Sequence, residues 1–243
     1  MSRYTLRRTR LGDGEETTTY VVRHRLAGLS VGVHVFRQAR RLDRWCHKQD
    51  VHEAVVGGFY LRDPFRPLGD VWCGGEHAAG TPFLPAYCDL RPALHATDGR
   101  LEIAPRGELP ERPEGDLLQA GPLLVADGEI AFDGADREGF TAGAAQFDSD
   151  ITDGRHPRAA VGIAEKHLVV LVCDGRRSRT DAGLSMLELA GMMRELGCRV
   201  AMNLDGGGSA TLVHRGHLLN RPYSEQDQAA PASRPIVSAL LFS

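Results

Sequence analysis

The sequence has no C-x-x-C pair, no apolar run approaching the ~18 residues of a membrane-spanning helix, and no strong excess of either charge. Its five cysteines, Cys46, Cys73, Cys88, Cys173 and Cys198, are odd in number and widely spaced. That sets aside a zinc site of ordinary spacing. They read as reduced thiols of a cytoplasmic protein, with Cys173 and Cys198 as small core residues beside apolar runs. The basic start, MSRYTLRRTR, is followed by no apolar segment of the kind a secretory signal carries. A formal net charge of -3 gives no reason to expect a nucleic-acid partner, and no span points to a membrane. Two local basic clusters, Arg7, Arg8 and Arg10 and then Arg37, Arg40, Arg41 and Arg44, read as solvated faces; the alternative is a patch that attracts an anionic substrate.

What is present suits one globular domain. The 243 residues are 42% hydrophobic and 25% charged, enough for a sizeable core. No repeat or linker divides residues 1–243. Thr17–Phe36 reads as two strands broken at Gly28, Ala39–His47 as a short amphipathic helix, and Val51–Tyr60 as a buried strand running into Gly57-Gly58. Pro82–Tyr87 and Arg100–Ala104 are strand candidates in a Gly- and Pro-punctuated region, 61–122. Asp127-Gly128 between short apolar runs signals a hairpin. The acidic, Gly-rich stretch 135–154 reads as a surface loop. Ala159–Ile163, His167–Cys173, Val200–Leu204, Ala210–His214 and Ile236–Phe242 read as strands. Ser185–Leu196 is the clearest helix: Ser185 and Glu188 form a capping box, Leu187, Leu189, Ala190, Met193 and Leu196 form a core stripe, and Gly197 terminates it. Many short strands and few helices argue for an α+β chain, a large mixed or antiparallel sheet system with helices packed outside.

The sharpest motif is Asn203-Leu204-Asp205-Gly206-Gly207-Gly208-Ser209 between two apolar runs. Three glycines let the backbone approach a ligand, and their amides can form an anion-binding concavity; a plain Gly-rich hairpin with polar turn residues is the alternative. It is not a Walker loop, since the G-K-[ST] ending is missing, nor a dinucleotide fingerprint, since no helix follows. Asp174 with Arg176, just after the run His167–Cys173, has the form of a catalytic carboxylate at a strand end or of an ordinary turn. His156-Pro157-Arg158 opens the next cluster, where Arg158 could fork a phosphate or simply face solvent. Gly57 and Gly58, at the end of an apolar strand, are candidate substrate-binding residues, with a tight turn as the alternative that needs no function.

Together these blocks resemble the phosphodiester glycosidase domain. VVGGFY, AGPLLVADGEI, RHPRAAVGI, LVVLVCDGRR, GLSMLELAGMMRELG, AMNLDGGGSATLV, NRP and RPIVSALL follow the family's order over about Val51–Phe242, NLDGGGS being the most specific. Residues 1–50 carry little of the signal. Two positions depart from the pattern: Val56 stands where an Asn is usual, and Ala159 where a hydroxyl residue often follows the Pro-Arg pair. Both remove a polar group, so the substrate is expected to differ from N-acetylglucosamine phosphodiesters.

The resemblance implies hydrolysis of a glycosyl-1-phosphodiester at the anomeric C–O bond, on an intracellular small-molecule sugar phosphate such as a nucleotide-sugar-like compound. The transition state of such a cleavage is oxocarbenium-like and its phosphate is already a good leaving group, so a cradle for phosphate matters more than a strong acid. In that reading Asp205, then Asp174, supply the carboxylate. His156 shuttles a proton. Arg158, Arg176 and the Gly206, Gly207 and Gly208 amides neutralise the leaving oxygen, and Asn203 and Ser209 orient the substrate. Two alternatives stay open: a phosphodiesterase or phosphatase that cuts the P–O bond with Mg²⁺ or Ca²⁺ held by Asp174 and Asp205, and a non-catalytic sugar-phosphate binding module. No cofactor is assigned otherwise.

Overall fold

The computed structural model describes residues 2–140, 146, 151–177, 180–223 and 233–243. Part of the expected loop 135–154, at 141–145 and 147–150, therefore lies outside the described residues.

Three sheets, all with antiparallel neighbours, carry the chain. The largest has seven strands in the order Arg3–Arg10, Glu16–Arg25, His167–Cys173, Arg158–Ala164, Cys198–Asn203, Leu123–Ala126 and Glu129–Ile130. A five-stranded sheet runs His217–Leu218, Leu212–His214, Glu53–Val56, Ile236–Phe242 and Val31–Arg40. The other five-stranded sheet runs Arg100–Pro105, Pro92–Thr97, Asp116–Gln119, Val71–Cys73 and Glu76–His77. A separate hairpin pairs Tyr60–Arg62 with Phe65–Pro67.

Period-two alternation sorts the central strands between two cores. Along His167–Cys173, Leu168, Val170 and Val172 join the main core with residues of both five-stranded sheets, among them Ala54, Leu240, Leu94 and Leu118. Val169, Leu171 and Cys173 face the opposite side. There they meet the helix Met186–Glu195, whose Met186, Leu189, Ala190 and Met193 are buried at i, i+3, i+4 and i+7. Burying each large side chain of this stripe contributes roughly 1.5–3 kcal/mol. Ser185 and Glu188 make the reciprocal capping box, and Gly197 takes the left-handed conformation that ends the helix. Leu187 departs from the expected stripe: it is exposed, because it lies one residue off the buried face.

Two other expectations are corrected. Pro82–Tyr87 is not a strand; Pro85–Cys88 forms one helical turn with proline at its start, where a missing N–H costs nothing. The first helix begins at Leu42 rather than Ala39, since the strand before it runs through Arg40. The weakly marked N-terminus supplies two strands of the largest sheet. The basic cluster there includes Arg8, which pairs with Glu16 and Asp181.

Candidate active site

The NLDGGGS segment is where the chain leaves the seven-stranded sheet at Asn203 and enters a five-stranded sheet at Leu212. Leu204 N–H donates to Ala159 O of the first sheet at 2.8 Å, and Asp205 N–H donates to Gly57 O at 3.0 Å. Gly57 is itself tied to the second sheet, its N–H reaching Ser238 O at 2.9 Å. A Cβ on Gly57 would come within 2.5 Å of Ser238 Oγ, and one on Gly58 within 2.9 Å of Gln119 O. The glycine pair thus brings the strands close enough to hold Asp205 across the seam.

At this seam lies a cleft of about 640 Å³, lined by Tyr60, Arg62, Asp63, His156, Arg158, Arg176, Asn203, Asp205, Gly206, Gly207, Ser209 and Arg234, among others. Its position, beside the ends of His167–Cys173 and Cys198–Asn203, follows from the register: Arg158 pairs with Cys173 while Ala160 pairs with Asn203. Neither basic cluster of the first 50 residues contributes a lining side chain.

The glycine triplet works differently from an amide nest. Gly206 N–H donates to Asp205 Oδ1 at 2.9 Å, and Gly207 N–H to Pro157 O at 2.8 Å, so two of the three amides expected for phosphate are already engaged. The missing side chains matter instead for room. A Cβ on Gly207 would stand 3.5 Å from the Arg176 guanidinium, and one on Gly208 3.0 Å from that of Arg234. Two arginines from other parts of the chain pack onto the triplet. Gly207 also needs its positive φ of 57°.

Three polar atoms of the motif are buried without a hydrogen-bond partner among the described residues: Asn203 Oδ1, Asp205 Oδ2 and Ser209 Oγ. Asn203 Nδ2 donates to Gly121 O at 2.8 Å, which fixes the amide. Burial pushes the Asp205 carboxyl up to about 6, against the pull of Ser209, the Gly206 amide, Arg234 and Arg62. Ser209 Oγ stands close enough to favour the charged carboxylate, yet not in the alignment of a good hydrogen bond. Tyr60 OH donates to Pro235 O at 3.0 Å, and burial together with Asp205 raises its pKa. Orphaned buried polar atoms are uncommon in native proteins; three in one cleft mark a place for ligand atoms.

The remaining expected residues divide. Arg158 lines the cleft, but all three guanidinium nitrogens donate to main-chain carbonyls, Nε to Leu184 O at 3.0 Å, Nη1 to Ile151 O at 2.6 Å and Nη2 to Gly154 O at 3.1 Å. The fork read as a phosphate ligand is a brace for the segment before it. His156 Nδ1 faces Arg176 Nε at 3.5 Å. Burial, Arg158 and Arg176 push the imidazole down to about 4, so at neutral pH it is uncharged and accepts from Arg176. Asp174 is buried and does not line the cleft. Its Oδ2 accepts from Tyr20 OH at 2.9 Å and its Oδ1 from Arg221 N–H at 2.7 Å. Both its oxygens are occupied, which leaves no pair with Asp205 for a shared cation. Among the described residues no three His, Cys, Asp or Glu side chains cluster as a metal site. Val56 and Ala159 are core residues away from the lining, so the two departures do not reshape the cleft directly.

Arg62, Arg234 and Tyr60 are lining residues that motif reading did not single out. Arg234 opens the quoted block RPIVSALL and Tyr60 closes VVGGFY, but nothing local shows that they meet Asp205.

The sequence profile of the phosphodiester glycosidase family matches residues 49–243. Among solved structures, the catalytic domain of zebrafish N-acetylglucosamine-1-phosphodiester alpha-N-acetylglucosaminidase, auto-inhibited by its pro-peptide, superposes with a TM-score of 0.74 at 17% identity, over 99% of this chain and 82% of that one. A hypothetical protein from Synechocystis gives 0.74 at 16%, over 99% and 62%. An exported protein of Burkholderia pseudomallei, described there as putative, gives 0.69 at 13%, over 94% and 74%. At these identities the structures share the fold. No curated protein matches the sequence significantly.

Proposed function

Because the chain belongs to the phosphodiester glycosidase family, we propose that its cleft hydrolyses a small-molecule glycosyl-1-phosphodiester at the anomeric C–O bond, releasing free sugar and a phosphomonoester. The observation that carries the reading is the joining of one buried, half-unpaired carboxylate to Arg176 and Arg234 through a single loop. In this reaction water bonds to the anomeric carbon and the electron pair of the broken C–O bond goes to the phosphate oxygen. Asp205, with a pKa about 6, is ionised at neutral pH yet close enough to it to take a proton from that water. Arg176 and Arg234 stabilise the charge that grows on the departing phosphate. Asn203 Oδ1 accepts from a sugar hydroxyl, and Ser209 Oγ accepts from or donates to another. His156 orients Arg176 instead of shuttling a proton, since it is neutral and already accepts from that arginine. An intracellular place of action belongs to the same proposal, supported by five free cysteines.

Hydrolysis in ¹⁸O-labelled water tests this directly. Label in the released sugar is expected. Label in the phosphate would transfer the cut to the P–O bond, and loss of turnover in EDTA would bring in a divalent cation. Binding of glycosyl phosphates with no turnover of any would leave a binding module.

A further inference from the structure

The hairpin of Tyr60–Arg62 and Phe65–Pro67 enters the cleft wall through Tyr60, Arg62 and Asp63. Its register sets Arg62 opposite Phe65, and Tyr60 lies two residues before Arg62, so the three side chains share one face of the hairpin. Tyr60 OH donates to the carbonyl of Pro235, the residue after Arg234, at 3.0 Å. Arg62 is near enough to Asp205 to oppose the burial that raises its pKa. The Phe65 ring centroid lies 5.9 Å from that of Tyr60, with the planes inclined at 30°, and Phe65 is 52% exposed. A lone apolar residue at a surface is ordinary. Among the described residues, however, Phe65 is the one exposed large apolar side chain carried by the cleft hairpin, and an open ring beside a lining tyrosine is half of a stacking contact.

The cleft thus has a buried end and an open one. Asn203 Oδ1, Asp205 Oδ2 and Ser209 Oγ mark the buried end, Arg176 and Arg234 pack onto the loop that carries them, and the Tyr60–Phe65 pair stands at the rim. We propose that these two rings bind the group on the far side of the phosphate, and that this group is a planar aromatic ring, such as the base of a nucleoside. The inference rests on the glycosidase reading for its direction. With the sugar at Asn203 and Ser209 and the phosphate at Arg176 and Arg234, the ester group leads toward the rim. Phe65 offers no donor or acceptor there, so it reads the flat face of a ring and not its polar edge. Tyr60 has its hydroxyl committed to Pro235 O and likewise presents its ring. Phe65 is then a specificity-determining residue, one that selects what the phosphate carries and not which sugar is released.

Two measurements on the full chain test it. The first is calorimetric titration with benzyl, cyclohexylmethyl and methyl phosphate, three monoesters of equal charge. Benzyl phosphate is expected to bind about tenfold or more tighter than methyl phosphate, the scale of one ring stacked on an aromatic side chain, with cyclohexylmethyl phosphate clearly behind it. Phe65→Ala should bring benzyl and methyl phosphate to within about threefold by weakening the benzyl ester, and Phe65→Trp should keep the preference. Equal affinities for benzyl and methyl phosphate in the unaltered protein overturn the proposal. Cyclohexylmethyl phosphate binding as tightly as benzyl phosphate overturns the planar ring, and a preference that survives Phe65→Ala overturns the role of Phe65. The second measurement, turnover of one sugar 1-phosphate esterified with methyl or with benzyl, reads the glycosidase reaction separately. Release of sugar from both at equal kcat/KM sinks the aromatic preference and leaves the glycosidase reading standing. A benzyl preference in binding with no sugar released from either ester sinks the reaction and leaves the ring subsite.

Discussion

Asp174 and Asp205 look alike in sequence and differ in what surrounds them. Each ends an apolar strand and is followed by glycine, and burial pushes each up to about 6. Asp174 is a closed site: Tyr20 OH and Arg221 N–H take its two oxygens, its carbonyl accepts from Thr17 Oγ1 at 2.9 Å and its N–H donates to Thr18 O at 3.0 Å. Asp205 is an open site: one oxygen holds the following amide and the other is sealed from solvent without a partner. A carboxylate whose hydrogen bonds are complete stitches the N-terminal strands to the sheet. One whose hydrogen bonds are incomplete has something left to do. An elevated pKa is the same in both and does not distinguish them; the hydrogen-bond inventory does.

The largest expected effect that tests this contrast comes from Asp205→Asn. Its kcat/KM should fall by roughly two orders of magnitude or more, while its stability rises. The sign follows from linkage. A carboxyl whose folded pKa is raised favours folding below its unfolded value, near 3.8, and loses that contribution as pH rises through about 6. At pH 8 the amide removes a charge whose burial costs on the order of 1–2 kcal/mol once partial access to solvent is discounted. At pH 3 the two proteins should be equally stable. Denaturant melts at both values, beside steady-state rates, make the check; an inactive variant that is also destabilised at pH 8 would make Asp205 a structural residue like its counterpart.

Next in size, Arg234→Ala should lower kcat/KM by roughly 10²-fold, the scale of removing one donor to developing charge, with Arg234→Lys recovering part of it. Asp174→Ala belongs below this. It leaves Tyr20 OH and Arg221 N–H unpaired, so stability should drop by about 1–3 kcal/mol, while the rate per folded molecule stays within about tenfold. A rate loss as large as that of Asp205→Asn, in folded protein, would erase the distinction between the two carboxylates.

Much of the open site was legible and almost none of the closed one. NLDGGGS announces itself because six of its seven residues, all but Leu204, are polar or glycine between apolar runs. The capping box of Ser185 and Glu188 is local too, and it appears where the spacing puts it. The partners are not local. Asp205 is held through Gly57, Asp174 through Tyr20 and Arg221, and strand pairing rather than spacing brings these together. The same gap explains the glycines: their sequence suggests free amides, whereas the fold fills the space above them with Arg176 and Arg234. Arg158 reads as a phosphate ligand because nothing in its neighbourhood shows the three carbonyls that occupy it. The first strand, RYTLRRTR, was silent for a different reason. Nearly all of its residues are exposed, so it lacks the alternation by which a half-buried strand is recognised.

The finest test is one in which nothing should change. If Asp205 acts as the base, the pH dependence of kcat/KM rises with an apparent pKa near 6 as the carboxyl ionises. Asp174 would generate a limb at the same place, so the unaltered protein alone leaves the two assignments equal. Asp174→Asn separates them with little structural cost. The amide oxygen can keep the Arg221 N–H, and its nitrogen can donate to Tyr20 OH, which accepts as readily as it donates. The variant therefore titrates one carboxyl fewer while keeping both contacts. An acid limb still near 6 assigns the ionisation to Asp205. A limb that disappears or moves by a full unit places the working carboxylate at Asp174, and the completeness of its hydrogen bonds would then have misled us about which site is open.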